Sequence, residues 1–176
     1  MKLLIGYASR QGQTRKIARY VADAATDKGH SVELLALSDA EGLKLERFDK
    51  VLLAAPIHMG HYPKAFVDFV SDNCGKLNEM TTSFLSVSLS AAGHNADDWK
   101  DLDRSLDDLQ LATGWGATDI QQVAGAYKPS QYDILTRFIM LRILTKRAPN
   151  TNLDEDKEFT DWAALDSWTT NWLTGI

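Results

Sequence analysis

Short apolar runs alternate with segments of helical periodicity along nearly the whole chain, and this alternation restricts the possible folds more than any other feature. Residues 2–8, 31–37, 50–56, 83–90 and 118–126 read as strands. Between and after them lie four amphipathic patterns. Residues 13–28 place Ile17, Val21, Ala24 and Ala25 on one stripe and stop at Gly29. Residues 63–72 open on Pro63, a good first-turn residue, and bury Phe66, Phe69 and Val70. Residues 96–111 bury Trp99, Leu102, Leu106 and Leu109 against an acidic outer face. Residues 160–173 take Thr160 as cap and carry Trp162, Leu165, Trp168 and Trp172, the core side of a sheet-covering helix. Strands separated by helices predict an α/β fold: a doubly wound, five-stranded parallel sheet with helices on both faces. At 176 residues, with 44% hydrophobic and 24% charged, the chain is expected to form a single domain, 1–176.

Charge and cysteine content narrow the setting. A net charge of −5 argues against nucleic-acid binding, which needs a basic surplus. The one cysteine, Cys74, allows no internal disulfide and fits a reducing, cytoplasmic compartment. The first apolar run is too short for a leader peptide and leads straight into a glycine turn. No apolar stretch is long enough to span a bilayer.

The first strand runs into Ser9, Arg10, Gln11, Gly12, Gln13 and Thr14, and then into the first helix. A hydroxyl- and glycine-rich turn at a strand-to-helix junction is a phosphate cradle, because backbone N–H groups and the positive end of the helix dipole converge there. The spacing matches neither the Walker loop nor the GxGxxG fingerprint. The helix then begins with Arg15, Lys16 and Arg19 and has no acid before Asp23. That sign is wrong for a helix N-terminus; a bound anion would offset it, and a solvated basic face is the plain alternative.

Two further strand ends carry chemistry. The third strand passes through Pro56 into Ile57, His58, Met59, Gly60, His61 and Tyr62. An aromatic, a thioether, two imidazoles and a glycine suit contact with a flat heterocycle. The fourth strand passes through Ser88, Leu89 and Ser90 into Ala91, Ala92, Gly93 and His94, small residues that leave room for a ring edge. His58, His61 and His94 are candidates to move protons near neutral pH, and equally candidates for simple hydrogen-bonding spacers. His58 and His61 have no acidic or Cys ligand nearby, so no metal is expected.

One stretch exceeds what such a fold needs. Residues 127–158 follow the fifth strand where a short connection would suffice. Within them, residues 132–147 are apolar nearly all the way round a helix, with four cations that include Arg137 and Arg142. Such a segment docks in a groove of this chain or a partner, a second copy included, or lies in a lipid interface with its cations at head groups.

With these residues in place, the turn of 9–14 resembles the flavodoxin loop that holds the phosphate of FMN, and the five strands suit the flavodoxin-like order 2-1-3-4-5. The chain as a whole resembles the flavodoxin-fold, quinone-dependent protoporphyrinogen oxidases (protoporphyrinogen IX dehydrogenases). The likeness rests on residues 9–14, the loop 56–62 followed by Ala65-Phe66, and 124–127. It rests further on Tyr132-Asp133, 137–140 and Thr160-Asp161-Trp162, and it runs nearly end to end. Two stretches, 91–98 and 147–150, depart from the family pattern and bear on substrate more than cofactor.

The resemblance implies FMN as cofactor, with 9–14 on its phosphate and 56–62 and 88–94 on its ring. It implies removal of six electrons from protoporphyrinogen IX in two-electron steps, delivery to menaquinone or ubiquinone, and peripheral membrane contact on the inner face of the cell membrane. Arg137 and Arg142 would then meet substrate carboxylates or lipid phosphates. A flavodoxin-type electron carrier and an NAD(P)H:quinone reductase are the alternatives. A phosphoacceptor receiver domain is excluded, because Tyr7-Ala8-Ser9 and Pro56-Ile57-His58 stand where its acidic residues would be.

Overall fold

The computed structural model describes residues 1–131 and 155–175. Five parallel strands, β1 (Lys2–Tyr7), β2 (Ser31–Ala36), β3 (Lys50–Pro56), β4 (Thr82–Ser88) and β5 (Asp119–Ala124), form one sheet in the order β2-β1-β3-β4-β5. The expected fold class and strand order are both observed. Helices α1 (Gln13–Asp27) and α4 (Trp162–Thr174) pack on one face, α2 (Lys64–Glu79) and α3 (Ala96–Thr113) on the other.

Strand alternation builds the two cores. Leu3, Ile5, Leu52, Ala54, Leu85 and Val87 meet Ile17, Val21, Leu165 and Trp172 on the α1/α4 side. Leu4, Val51, Leu53, Ala55 and Phe84 meet Phe66, Phe69, Val70, Leu109 and Trp115 on the other. The interior strand β4 is buried at all seven positions, as a strand covered on both faces must be. Gly6 lets the leucine tips pack close to β1: a Cβ there would meet Leu37 Cδ2 at 2.6 Å and Leu53 Cδ2 at 3.1 Å, and those side chains would have to shift.

The differences from expectation have local causes. The α1 core stripe uses Ala18 and Ala22, while Ala24 is half-buried. Helix α2 continues past Asp72 to Glu79 because Leu77, fully buried, anchors its last turn. Trp99 lies 37% exposed on α3 instead of in the core, its Nε1 donating to the Gly93 carbonyl at 2.9 Å. The cap of α4 is Asp161, whose carboxylate accepts from Ala164 N at 2.9 Å; Thr160 is drawn off to donate to the Ala124 carbonyl. The run expected as a strand to residue 126 breaks at Gly125, where a Cβ would meet Val87 Cγ1 at 3.2 Å.

Beyond that break Ala126–Tyr127 pairs antiparallel with Lys157–Glu158, here β6 and β7. Residue 127 and residue 157 thus stand opposite each other where the chain leaves and rejoins the sheet layer. The apolar stretch 132–147, with Arg137 and Arg142, lies outside the described residues. No described helix is long and apolar enough to cross a membrane.

Candidate functional site

The strand order reverses direction of travel between β1 and β3, and in open α/β sheets ligands bind at such a point, beyond the carboxyl ends of the strands. Three loops emerge there, from β1, β3 and β4.

The β1 loop is shaped by Gly12, which takes φ +81 and caps α1 with no side chain of its own. Its N–H donates to Ser9 Oγ at 3.1 Å, folding the loop over its own hydroxyl. Gln13 and Thr14 are buried at the first turn, while Arg10 is exposed. The first-turn N–H groups of α1 have no intrahelical acceptor, so this end of the helix presents donors and a positive dipole. Lys128 Nζ donates to the Gln11 carbonyl at 3.0 Å and steadies the loop from outside.

The β3 loop is a tight two-residue turn. His58 N donates to His61 O at 2.9 Å and His61 N to His58 O at 3.0 Å, with Met59 at φ 52 and Gly60 at φ 80 between them. Positive φ at both central positions is the type I′ geometry of a hairpin. A left-handed methionine is uncommon and strained. The Met59 side chain stands 82% exposed at the tip, with His61 also exposed. The turn's own pairing uses the amides of His58 and His61, so those of Met59 and Gly60 are the two at the tip. Ile57 N donates to Val87 O at 2.8 Å and ties this loop to the end of β4.

His58 is half-buried, and desolvation, with a smaller contribution from the Arg10 cation, holds its pKa below the ordinary 6.5. The imidazole is therefore neutral at pH 7. The effect of Arg10 on His58 also brings the β1 and β3 loops into one electrostatic site.

Tyr62 is half-buried at the end of this loop. Its ring packs between Phe66 and Phe84, at centroid distances of 5.6 and 5.4 Å. Its hydroxyl shares a hydrogen bond of 3.0 Å with Ser86 Oγ, and burial pushes its pKa up to about 12. The ring supports the loop from beneath.

The β4 loop turns through Ser90–Ala92 after Leu89. Ala91 N donates to Ser88 Oγ at 3.1 Å, and Gly93 N to Ser90 O at 3.2 Å. His94 is exposed at its end, next to Asn95, which caps α3 by accepting from Asp97 N at 2.9 Å. The structure thus brings 9–14, 56–62 and 88–94 to one edge of the sheet, with Arg137 and Arg142 outside the described residues.

Sequence reasoning missed the residues that brace the β1 loop from far along the chain. Glu158 accepts from Lys16 Nζ at 2.7 Å and from Gln13 Nε2 at 3.0 Å, and Thr160 Oγ1 accepts from the same Gln13 nitrogen at 3.0 Å. The basic start of α1 is thereby partly paired within the protein. Partners about 145 positions apart leave no local pattern to detect.

Comparison with known proteins agrees with this geometry. A family profile described as a flavodoxin domain matches residues 4–154. The chain is 30% identical to the protoporphyrinogen IX dehydrogenase [quinone] of Escherichia coli K12, over 92% of this chain and 89% of that one. A protein of the same name from Leishmania major is 26% identical over 93% of this chain and 71% of its own. Among solved structures, oxidised Flavodoxin 2 from Bacillus cereus superposes with a TM-score of 0.59, at 16% identity and full coverage of both chains. The two-electron reduced flavodoxin of Megasphaera elsdenii gives 0.51 at 22% identity, covering 68% of this chain and 84% of its own.

Proposed function

We propose that this chain, which belongs to the flavodoxin domain family and within it to the protoporphyrinogen IX dehydrogenases [quinone], oxidises a porphyrinogen through bound FMN and passes the electrons to a membrane quinone. The observation that carries the reading is 30% identity to a protein of that name over 92% of the chain, a span that includes the long stretch after β5. The donor set fits FMN. A helix N-terminus with Gly12 in the left-handed conformation offers the backbone N–H groups of Gln13 and Thr14 and the Thr14 hydroxyl to a phosphate, the Gln13 carboxamide hydrogens being taken by Glu158 and Thr160.

When bound, FMN supplies hydride acceptance and electron return, chemistry no side chain here provides. The chain's residues do the rest. Ser9, Arg10, Gln11, Gly12, Gln13 and Thr14 hold the phosphate. The Met59 and Gly60 amides, at the tip of a rigid turn, donate to ring acceptors, and Ser88 to His94 close the other edge. His58 and His61 are the candidates to move a proton; a neutral His58 that accepts one becomes an imidazolium, which burial and the Arg10 cation disfavour, so it passes the proton on readily. Arg137 and Arg142 meet the substrate's carboxylates or, in peripheral contact with the inner face of the cell membrane, lipid phosphates. A homodimer in which the 127–158 stretch docks on a second copy is the alternative role for that stretch.

The test is direct. Purified protein is expected to be yellow or to quench FMN fluorescence on titration, and to oxidise protoporphyrinogen IX faster with menaquinone than with oxygen alone. A colourless preparation that takes up no FMN overturns the cofactor. A stable one-electron state on stepwise photoreduction, without porphyrinogen oxidation, makes it a carrier, and rapid bleaching by NADH makes it an NAD(P)H:quinone reductase.

A further inference from the structure

The Gln13 carboxamide is held in an unusual way. Its Nε2 donates to Glu158 Oε2 at 3.0 Å and to Thr160 Oγ1 at 3.0 Å. Thr160 spends its own proton on the Ala124 carbonyl at 2.7 Å, so it meets Gln13 as an acceptor. Two acceptors fix which end of the carboxamide faces them, and both amide hydrogens are committed. The opposite atom, Oε1, is buried with no hydrogen-bond partner in a residue only 6% exposed. A buried acceptor in that state destabilises the loop and is relieved by a hydroxyl or N–H donor on a ligand, not by a phosphate dianion, which brings only acceptors.

Glu158 organises more than Gln13. The same oxygen accepts from Lys16 Nζ at 2.7 Å, and Oε1 accepts from Trp162 Nε1 at 2.7 Å. Lys16 in turn lies 5.0 Å from the centroid of the Trp162 ring. From Glu158 on β7, two of these contacts reach the first turns of α1, at Gln13 and Lys16, and one reaches Trp162 at the start of α4.

We propose that Glu158 is a positioning residue for the phosphate-binding loop: from the return strand it holds the Gln13 carboxamide and Lys16 in place, so that ligand affinity depends on closure of the β6–β7 base. The inference rests on the FMN reading above. Simple electrostatics gives the opposite sign, since deleting a carboxylate beside a dianion's site should tighten binding. Lys16 cancels that charge at 2.7 Å, which leaves orientation as the dominant effect.

The experiment is an FMN fluorescence titration, with apo-protein thermal unfolding beside it, on the native protein, Glu158→Ala, Glu158→Gln, Gln13→Ala and the double variant Glu158→Ala/Gln13→Ala. Glu158→Ala is expected to weaken FMN on the order of tenfold in the native background, and less than about twofold once Gln13 is gone. Glu158→Gln, which keeps a carbonyl acceptor for the carboxamide, is expected to restore most of the loss. Should Glu158→Ala not fold, Glu158→Asp, which withdraws the carboxylate by one methylene, is read in the same way. Tighter binding in Glu158→Ala, unchanged affinity with only a lowered melting temperature, or equal losses in both backgrounds overturns the proposal. A native protein that binds no FMN contradicts the cofactor assignment instead, so the two failures are distinguishable.

Discussion

Replacing Gly12 separates backbone geometry from side-chain chemistry at the phosphate loop. Gly12 has φ +81, and a Cβ added there would meet nothing within 4 Å. Gly12→Ala therefore introduces no clash, only the cost of an L-residue in the left-handed region, about 1–2 kcal/mol. For a chain of this size each kcal/mol moves the melting temperature by roughly 2–4 °C, so the apo-protein should melt about 2–8 °C lower. FMN affinity should fall by no more than the same strain, about 30-fold at most, and only as far as the free loop relaxes. Asn tolerates this conformation better than other residues, so Gly12→Asn should lie between Gly and Ala in both measurements. Differential scanning calorimetry and fluorescence titration read the two quantities. A rise in melting temperature on Gly12→Ala would refute the reasoning, because that is the sign expected where φ is negative and only unfolded-state entropy changes.

Tyr62→Phe leaves the Ser86 hydroxyl, fully buried, without its partner, and should cost about 1–3 kcal/mol in urea unfolding. The change keeps the half-buried ring and removes only the hydroxyl, so FMN affinity should stay within about twofold; a large affinity loss at unchanged stability would put the hydroxyl against the ligand instead. His58 should titrate below 6.5 by NMR, and Arg10→Ala should raise its pKa without restoring the ordinary value, since burial is the larger cause. A folded pKa below the unfolded one means the unfolded chain binds the extra proton. The stability contributed by neutral His58 is thus complete above pH 6.5 and is lost as pH falls through the folded value. A urea midpoint that did not drop from pH 7.5 to 5.5 more in the native protein than in His58→Gln would contradict this.

Strands β1, β2 and β3 were legible as short, largely apolar runs with turn residues at their ends, whereas β4, buried throughout although four of its seven residues are Ser or Thr, and β5, with Asp119, Gln121 and Gln122, were legible from their place in the alternation of strands and helices. The three loops were legible because they are contiguous in sequence. What escaped was set by distant contacts. Thr160 reads as a helix cap until the Ala124 carbonyl claims its hydroxyl and Asp161 takes the role. Tyr62 reads as a ring for a flat ligand, and its packing against Phe66 and Phe84 leaves no trace in the loop sequence. Trp99 falls on an apolar stripe, yet the Gly93 carbonyl holds its indole at the surface. Glu158 carries no signal at all, because its partners Gln13 and Lys16 are more than 140 residues away.

The most direct measurement is anaerobic mixing of the FMN-loaded protein with protoporphyrinogen IX, followed by a quinone, watching flavin absorbance. Bleaching on the first addition and full recovery on the second, with porphyrin formed, is the outcome expected of a quinone-linked porphyrinogen dehydrogenase. A flavin that stays oxidised in the presence of porphyrinogen, yet is reduced by an electron-transfer partner, would contradict it.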